Sequence, residues 1–257
     1  MEKTARQADE AESIALLSQE GVALAQVQAR AENWTAEQIL QWSFETYGRD
    51  VAVATAFGAE GIALIDIAAQ VWPQPRIFLL DTSFLFPETY RLIDQVEQRY
   101  GLSIERILPS LTPEAQAELC GPELWKRDPD LCCLIRKVEP LQRKLAELRA
   151  WITSIRREQT PSRAQAKKIE WDSQFSLLKI NPLADWTHEM VWQYIRERQL
   201  PYNPLHDLHH PSIGCTHCTR AVEPGENPRA GRWPGFNKQE CGLHAANLQS
   251  HPSRSRD

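Results

Sequence analysis

The sequence predicts an α/β fold in which a parallel, twisted sheet is flanked by helices and followed by a loop-rich C-terminal tail. Short β-prone runs alternate with helical patterns through most of the chain, and such alternation is typical of βαβ units and a parallel sheet. After Leu200, proline and glycine become frequent and hydrophobic periodicity fades. The length of 257 residues fits one large domain of this class or two small ones.

The N-terminal 47 residues are predicted to be helical. Thr35 and Gln38 have the spacing of a capping box, which satisfies backbone donors at the start of a helix. Gly48 follows Tyr47 and suits the C-terminal end of the same helix. We therefore expect a helix over 33–47, which needs no role beyond packing.

The central part of the chain holds the predicted sheet. Its strands are expected at Val51–Thr55, Ile77–Leu80, Ser103–Leu108, Trp151–Ile155 and Phe175–Ile180. Helices are expected at 62–71, 87–100, 132–149 and 187–198, with Pro87 in a first turn and Gly101 as a stop. Ligands of parallel sheets bind beyond the carboxyl ends of the strands. The loops at 55–61 and 81–86 are thus predicted to share one rim.

Three segments follow from this pattern. They are N-terminal helices at 1–47, a ligand-binding α/β domain at 48–205, and a C-terminal segment at 206–257 that carries three of the six cysteines. Within the last of these, the polar stretch 250–257 is predicted to be disordered.

Composition and charge exclude several classes of protein. The net charge is −5, whereas a nucleic-acid coat usually has a basic surplus. No apolar run approaches the roughly 20 residues of a membrane span, and the N-terminus lacks the apolar core of a signal peptide. We therefore expect a cytoplasmic protein that contacts neither membrane nor nucleic acid. An anionic small substrate stays compatible, because cations gather locally.

Four of the six cysteines form two close pairs, Cys132-Cys133 and Cys215-x-x-Cys218. Disulfides are improbable in a reducing compartment, so metal binding or catalysis is favoured. Four thiolates can hold a cubane iron–sulfur cluster or a zinc ion. Neighbours on a helix diverge by about 100°, which strains a single zinc site, whereas a cubane presents separate irons. The pattern favours a cluster, and zinc or unligated thiols are the alternatives.

Cys241 lies outside both pairs and is a candidate nucleophile. A free thiol has a pKa of about 8.5, so nearby cations such as Lys238 would help to form its thiolate. The alternative is an incidental exposed cysteine. For Cys120, which is similarly isolated, the incidental interpretation is favoured.

Basic residues and glycines supply a candidate anion site. Arg156 and Arg157 end a predicted strand and Arg163 follows a turn, so their planar forks could clamp phosphate or sulfate. A solvated arginine face is the rival interpretation. In the loop that begins at Thr55, Gly58 and Gly61 allow an anion to approach a helix N-terminus.

A second pair of cations, Arg136 and Lys137, lies one helical turn beyond Cys132 and Cys133. These cations could offset the charge of four thiolates or face an anionic substrate. An ordinary solvated pair is equally compatible with the spacing.

Taken together, six ordered blocks resemble the assimilatory adenylylsulfate and phosphoadenylylsulfate reductases, over about Val51 to His244. The blocks are Leu80-Asp81-Thr82 with Pro87-Glu88-Thr89-Tyr90, Cys132 to Pro140, Arg156 to Gln159 with Ser162-Arg163, Pro201 to Leu205, Gly214 to Arg220, and Glu240 to His244.

The resemblance implies an adenine-nucleotide α-hydrolase-like fold and the reduction of adenosine 5'-phosphosulfate to sulfite and AMP, in sulfate assimilation toward cysteine. It implies that Cys132, Cys133, Cys215 and Cys218 hold a [4Fe–4S] cluster, and that Cys241 forms an S-sulfocysteine. It places near the substrate the residues Lys137, Arg156, Arg157, Arg163, Arg229 and Arg232, to which the loop adds Thr55 and Gly58. The implied reductant is thioredoxin, or glutaredoxin in some members.

Several alternatives stay open beside this one. The run Phe84-Leu85-Phe86-Pro87 is similar to the phosphoadenylylsulfate branch while the four cysteines are similar to the adenylylsulfate branch, so either substrate or both could be used. The 55–61 loop departs from the Ser-Gly-Gly-x-Asp-Ser pattern and, with the net charge, disfavours an ATP-dependent tRNA thiolase. A zinc-stabilised interaction module is a further class. The sequence leaves open the roles of Cys120 and His244 and the oligomeric state, a homo-oligomer included.

Overall fold

A computed structural model describes residues 24–238 and 240–244 of the chain. Residues 24–31 are helical and form α1. The expectations for residues 1–23, and the predicted disorder of 250–257, lie outside the described residues. Within residues 24–238 and 240–244, no helix combines the length and apolarity that crossing a bilayer requires.

In the part of the chain that the structure describes, the sheet has six strands, and the predicted α/β class is confirmed. They are β1 Val51–Thr55, β2 Ile77–Leu80, β3 Ile104–Ile107, β4 Ala150–Ile152, β5 Ile169–Asp172 and β6 Leu177–Ile180, in the order β3-β2-β1-β4-β6-β5. All neighbours are parallel except β5 and β6. The sequence did not predict β5, an edge strand that pairs with β6, and the predicted fourth strand is shorter than expected.

Helices cover both faces of the sheet. They are α2 Ala36–Tyr47, α3 Ala59–Val71, α4 Pro87–Tyr100, α5 Pro113–Cys120, α6 Leu124–Arg127, α7 Pro129–Cys133, α8 Glu139–Leu145 and α9 His188–Glu197. The predicted capping box is present at α2, where the Gln38 amide donates to Thr35 Oγ1 at 3.3 Å. The predicted stop after α4 is confirmed as well, because Gly101 adopts a left-handed conformation.

Successive side chains of β1 point to opposite faces, so the sheet separates two apolar cores. Val51 and Val53 pack with α2, α3, α4 and α9, whereas Ala52 packs with Leu141 and Leu145 of α8. The second core therefore fixes α8 against the sheet. This attachment sets the position of the cysteine-bearing turn that precedes α8.

The helix predicted over 132–149 is interrupted. Between α7 and α8 the five residues Leu134–Val138 form a π-helical turn, and α8 ends at Leu145. A π turn widens the helix and is frequent at functional sites. Here the turn contains Arg136 and Lys137 and directly follows the adjacent cysteines.

Candidate active site

The loop after β1 is folded tightly at the rim of the sheet. Phe57 has a φ of +57° and its amide donates to Thr55 Oγ1 at 3.0 Å. Gly58 caps the N-terminus of α3. At Gly61 an added Cβ would lie 2.5 Å from Thr55 Oγ1, so any other residue would force the Thr55 side chain to move. The loop therefore presents the N-terminus of α3 to the space above the sheet, an arrangement that favours anions.

Gly61→Ala should destabilise the protein by about 1–3 kcal/mol, because a methyl group is forced into a closed space. Gly58→Ala is the matched control: its Cβ would meet Glu60 Oε2 at an ordinary 3.7 Å, and we expect a change within about 1 kcal/mol. Urea unfolding of both variants measures the difference. Equal losses in the two variants would contradict the steric argument.

A cavity of about 570 Å³ opens at the carboxyl ends of β1, β2 and β4. The two loops predicted to share a rim both line it, through Thr55 and Gly58 on one side and Thr82 and Leu85 on the other. Eight of the residues predicted for substrate binding or catalysis line it together: Thr55, Gly58, Lys137, Arg156, Arg163, Arg229, Arg232 and Cys241.

Arg157 is the predicted substrate residue that does not line the cavity. Its guanidinium bonds to Glu32 at 2.5 Å and to the Ala166 carbonyl at 2.8 Å. Arg156 does line the cavity but is buried, with Glu60 at 3.0 Å and Glu158 at 2.6 Å. The two neighbouring arginines thus point to different parts of the protein, and both are paired with carboxylates.

Lys137 and Arg232 have no carboxylate within salt-bridge distance among residues 24–238 and 240–244. Arg232 Nη1 donates to Ser212 Oγ at 3.2 Å, and its guanidinium occupies the space that a side chain at Gly214 would need. Burial by itself lowers the pKa of Lys137, but nearby cysteines, Cys215 foremost, raise it above its usual value overall. Both cations are therefore available to an anion in the cavity.

The loop after β2 brings the two cysteine pairs together. Leu85 forms a bridge with Cys215, and the Thr216 amide donates to the Phe84 carbonyl at 2.8 Å. Thr82 Oγ1 lies 3.3 Å from Cys215 Sγ. The same Thr82 accepts from Arg136 through its carbonyl at 2.9 Å, which ties the C-terminal segment to the π turn.

The four paired cysteines are buried and lie within electrostatic range of one another. Burial foremost, together with the neighbouring cysteines, raises the pKa of the Cys132 thiol to about 11 and that of the Cys218 thiol to about 12. No cysteine forms a disulfide. In the described part of the chain, no three Cys, His, Asp or Glu side chains are grouped to hold a single metal ion.

The remaining two cysteines differ in their surroundings. Cys241 is half-buried and packs against the cluster of Cys133, Cys215, Cys218 and Trp233. Lys137 and Arg229 lie within electrostatic range of it. Cys120 does not line the cavity and lies at the end of α5, beside the separate group around Leu124 and Cys132.

Two residues of the site, Thr82 and Glu240, were not predicted as functional residues from the sequence. Thr82 appeared only within a matching block, and its contacts to both cysteine-bearing segments depend on tertiary structure. Glu240 likewise appeared only as the neighbour of Cys241. In the structure the Glu240 carboxylate accepts hydrogen bonds from Arg163 Nε and Nη2, at 2.9 and 2.8 Å. It also lies 3.5 Å from Arg229 Nη2.

Comparisons with known proteins agree with this geometry. The family model for the phosphoadenosine phosphosulfate reductase domain matches residues 50–221. An adenosine 5'-phosphosulfate reductase from Shouchella clausii is 48% identical over 220 residues, which cover 85% of this chain and 91% of that protein. A phosphoadenosine 5'-phosphosulfate reductase from Gloeobacter violaceus is 49% identical over 217 residues, covering 83% and 90%.

A solved structure agrees as well. The crystal structure of a phosphoadenylyl-sulfate reductase from Candida auris, a phosphate complex, superimposes with a TM-score of 0.67 at 30% identity and covers 77% of this chain and 96% of that one. The sheet order, the rim cavity and these matches give one answer: the chain belongs to the phosphoadenosine phosphosulfate reductase family.

Proposed function

We propose that this protein reduces adenosine 5'-phosphosulfate to sulfite and AMP, with Cys241 as the nucleophile. One observation carries the proposal. Cys241 lines the same cavity as Lys137 and Arg232, two cations without carboxylate partners in the described ranges. A thiol beside open cations, in a cavity of nucleotide size, suits attack on an anionic sulfur ester. The relatives named adenosine 5'-phosphosulfate reductase support this choice of substrate.

Binding would use the rim of the sheet. The N-terminus of α3, with Thr55 and Gly58, would receive one phosphate oxygen through backbone donors. Lys137 and Arg232 would neutralise the phosphate–sulfate link and the charge that develops on the leaving phosphate. Lys137 is buried and Arg232 is partly buried, which strengthens these interactions because less water competes for the same charges.

The chemical step would transfer the sulfonate group to Cys241. The thiolate attacks the sulfate sulfur, a sulfur–sulfur bond forms, and the bond from that sulfur to the bridging oxygen breaks, with its electron pair leaving on AMP. The product is S-sulfocysteine. Its sulfur–sulfur bond now holds the electron pair that the reduction needs.

Release of sulfite would require an external dithiol. The first thiolate of such a reductant attacks Cys241 Sγ and expels sulfite, and its second thiol breaks the mixed disulfide and leaves as a disulfide. Thioredoxin, or glutaredoxin, is the proposed partner. None of the six cysteines forms a disulfide. This suits a reducing cytoplasm, which is the proposed location.

The surroundings of the four paired cysteines fit a [4Fe–4S] cluster. Arg136 is fully buried and its Nε and Nη2 atoms lack hydrogen-bond partners in the described structure. Two buried cations without carboxylates, Arg136 and Lys137, call for compensating negative charge beside the thiols. Cys132, Cys133, Cys215 and Cys218 would hold the group. When bound, the cluster would supply compact negative charge that orients these cations near the substrate.

A thioredoxin-coupled assay tests the proposal. The anaerobically purified protein is given adenosine 5'-phosphosulfate or its 3'-phosphorylated form, and sulfite and nucleotide are measured. We expect sulfite and AMP in equal amounts, with the first substrate preferred. Preference for the second would favour the phosphoadenosine phosphosulfate activity named for the Gloeobacter relative, and no sulfite from either would overturn the proposal.

Lys137→Met should lower kcat/KM about 10²–10³-fold, because a buried cation that meets developing negative charge is lost while its volume is kept. Lys126→Met is the control, since Lys126 is exposed and pairs only with Glu123 in the described structure. Sulfite assays on both variants measure the effect, with visible absorbance checking that cofactor content is unchanged. An unaffected kcat/KM at unchanged absorbance would exclude Lys137 from the site.

A further inference from the structure

Glu240 places a carboxylate at the edge of a cavity that is otherwise suited to anions. Its two oxygens accept from Arg163 Nε and Nη2 at 2.9 and 2.8 Å, a planar two-point contact. Thr160 Oγ1 donates to it at 3.2 Å, and Arg229 Nη2 lies 3.5 Å away. The side chain is only 12% exposed. This is a built, desolvated ion pair rather than a surface contact.

The ion pair separates two cations of the cavity from two others, while Arg156 pairs with Glu60 and Glu158 instead. Arg163 and Arg229 face the Glu240 carboxylate, whereas Lys137 and Arg232 face no carboxylate among the residues described. Lys137 lies within electrostatic range of the Cys241 thiol, as Arg229 does, and Cys241 is the residue directly after Glu240. Arg163 and Arg229 can therefore bind the protein's own C-terminal segment, while Lys137 and Arg232 can bind the substrate.

The chain after Cys241 is attached independently. Gln174 Nε2 donates to the Gly242 carbonyl at 3.0 Å, Leu243 packs on the second core, and the His244 ring stacks on Trp151 at 5.6 Å and 14°. These contacts lie on one side of the thiol. On the other side, Lys238 pairs with Asp130 and lies over the Trp233 ring, and Glu240 is the attachment directly next to Cys241. Loss of the Glu240 contact would therefore leave the backbone beside the thiol held only through more distant residues on that side.

We propose that Glu240 is a positioning residue that docks the nucleophile: its carboxylate, bound by Arg163 and Arg229, holds Cys241 toward Lys137 and Arg232. This inference rests on the proposed function of Cys241. It assigns Arg163 and Arg229 to the protein's own C-terminal segment rather than to the substrate. A competing idea is that Glu240 mimics the substrate anion and must be displaced before binding.

Kinetics separate the two ideas. With Glu240→Gln the two-point contact is lost, and a docking role predicts that kcat falls at least about tenfold while KM stays within about twofold, because orientation is lost rather than binding. A substrate mimic predicts the reverse, a lower KM from arginines that are set free. Glu240→Asp keeps the charge and should recover part of kcat. A lowered KM at unchanged kcat would overturn the docking role.

Glu226→Gln is the matched control. Glu226 forms a similar two-point pair with Arg220, at 2.8 and 2.9 Å, in the same part of the chain but outside the cavity. We expect wild-type kcat and KM from it. A kcat loss in this variant equal to that of Glu240→Gln would show that any such pair matters, and would overturn the specific role.

A readout that needs no substrate keeps this inference separate from the proposed function. Hydrogen–deuterium exchange in peptides containing Cys241 should become faster in Glu240→Gln and stay unchanged in Glu226→Gln. Exchange unchanged by Glu240→Gln would refute docking even if sulfite is formed. Faster exchange in a protein that makes no sulfite would instead sink the proposed function and leave the docking contact standing.

Discussion

Replacement of Cys241 by serine is expected to lower sulfite formation by at least about 10⁴-fold, the scale seen when a covalent nucleophile is removed. A serine hydroxyl stays protonated at neutral pH, and the cations within electrostatic range of position 241, Lys137 and Arg229, cannot accept its proton. The substitution removes the reactive sulfur atom but changes the side-chain volume little.

Serine fails for a second reason that concerns electrons. Sulfonate transfer to a hydroxyl would give a sulfate ester, in which the sulfur keeps its oxidation state. Only a sulfur–sulfur bond lets an incoming thiolate expel sulfite with the electron pair. Cys241→Ser should therefore yield no sulfite even under conditions in which nucleotide is slowly released.

Sulfite and AMP are measured separately for Cys241→Ser, with Cys120→Ser as the control. Cys120 lies outside the cavity, so its variant should keep wild-type turnover. Iron content and visible absorbance should be unchanged in both. Sulfite from Cys241→Ser at the wild-type rate would eliminate Cys241 as the nucleophile, and loss of its absorbance would mean that the thiol also serves as a ligand.

Local signals in the sequence were enough to predict most of the sheet and the helices beside it. The helix Pro87–Tyr100 begins and ends as predicted because Pro87 and Gly101 act within one turn. The strand Ile169–Asp172 has no such signal. It exists because it pairs antiparallel with Leu177–Ile180 at the edge of the sheet, and pairing is a tertiary property.

The π turn shows the same limit within a helix. Its residues, Leu134–Val138, carry an ordinary helical pattern, and nothing local distinguishes a five-residue turn from the standard one. In the structure, Arg136 of this turn donates a buried hydrogen bond to the Thr82 carbonyl, in the loop after β2. Sequence reasoning placed the cations beside the cysteines but could not give the helical geometry that orients them.

Within the site, residue types were predictable and directions were not. Arg156 has extended backbone angles, so the side chains of Arg156 and Arg157 leave the chain on opposite sides. One arginine therefore lines the cavity and the other pairs with Glu32 outside it. The partner of Arg163 is Glu240, 77 residues away along the chain, a contact that no local spacing encodes.

The second large effect concerns iron. We expect the anaerobically purified protein to contain about four iron atoms per chain with matching acid-labile sulfide, and Cys218→Ala to lose nearly all of both. Cys218 is buried and lies within electrostatic range of Cys215, Cys133 and Cys132. A missing ligand would leave the cluster open on one side and the buried cations uncompensated, so metal loss should lower thermal stability too.

Cys120→Ala is the discriminating control, because Cys120 is also a free cysteine and packs beside the group that contains Cys132. If iron is held by the two pairs, this variant keeps its iron, sulfide and unfolding temperature while Cys218→Ala loses all three. One zinc and no iron in the wild-type protein would instead favour the zinc-stabilised alternative. Iron that survives Cys218→Ala but not Cys120→Ala would mean that Cys120 of α5 is a ligand and that Cys218 is not. The ligand set predicted from the two cysteine pairs would then be wrong.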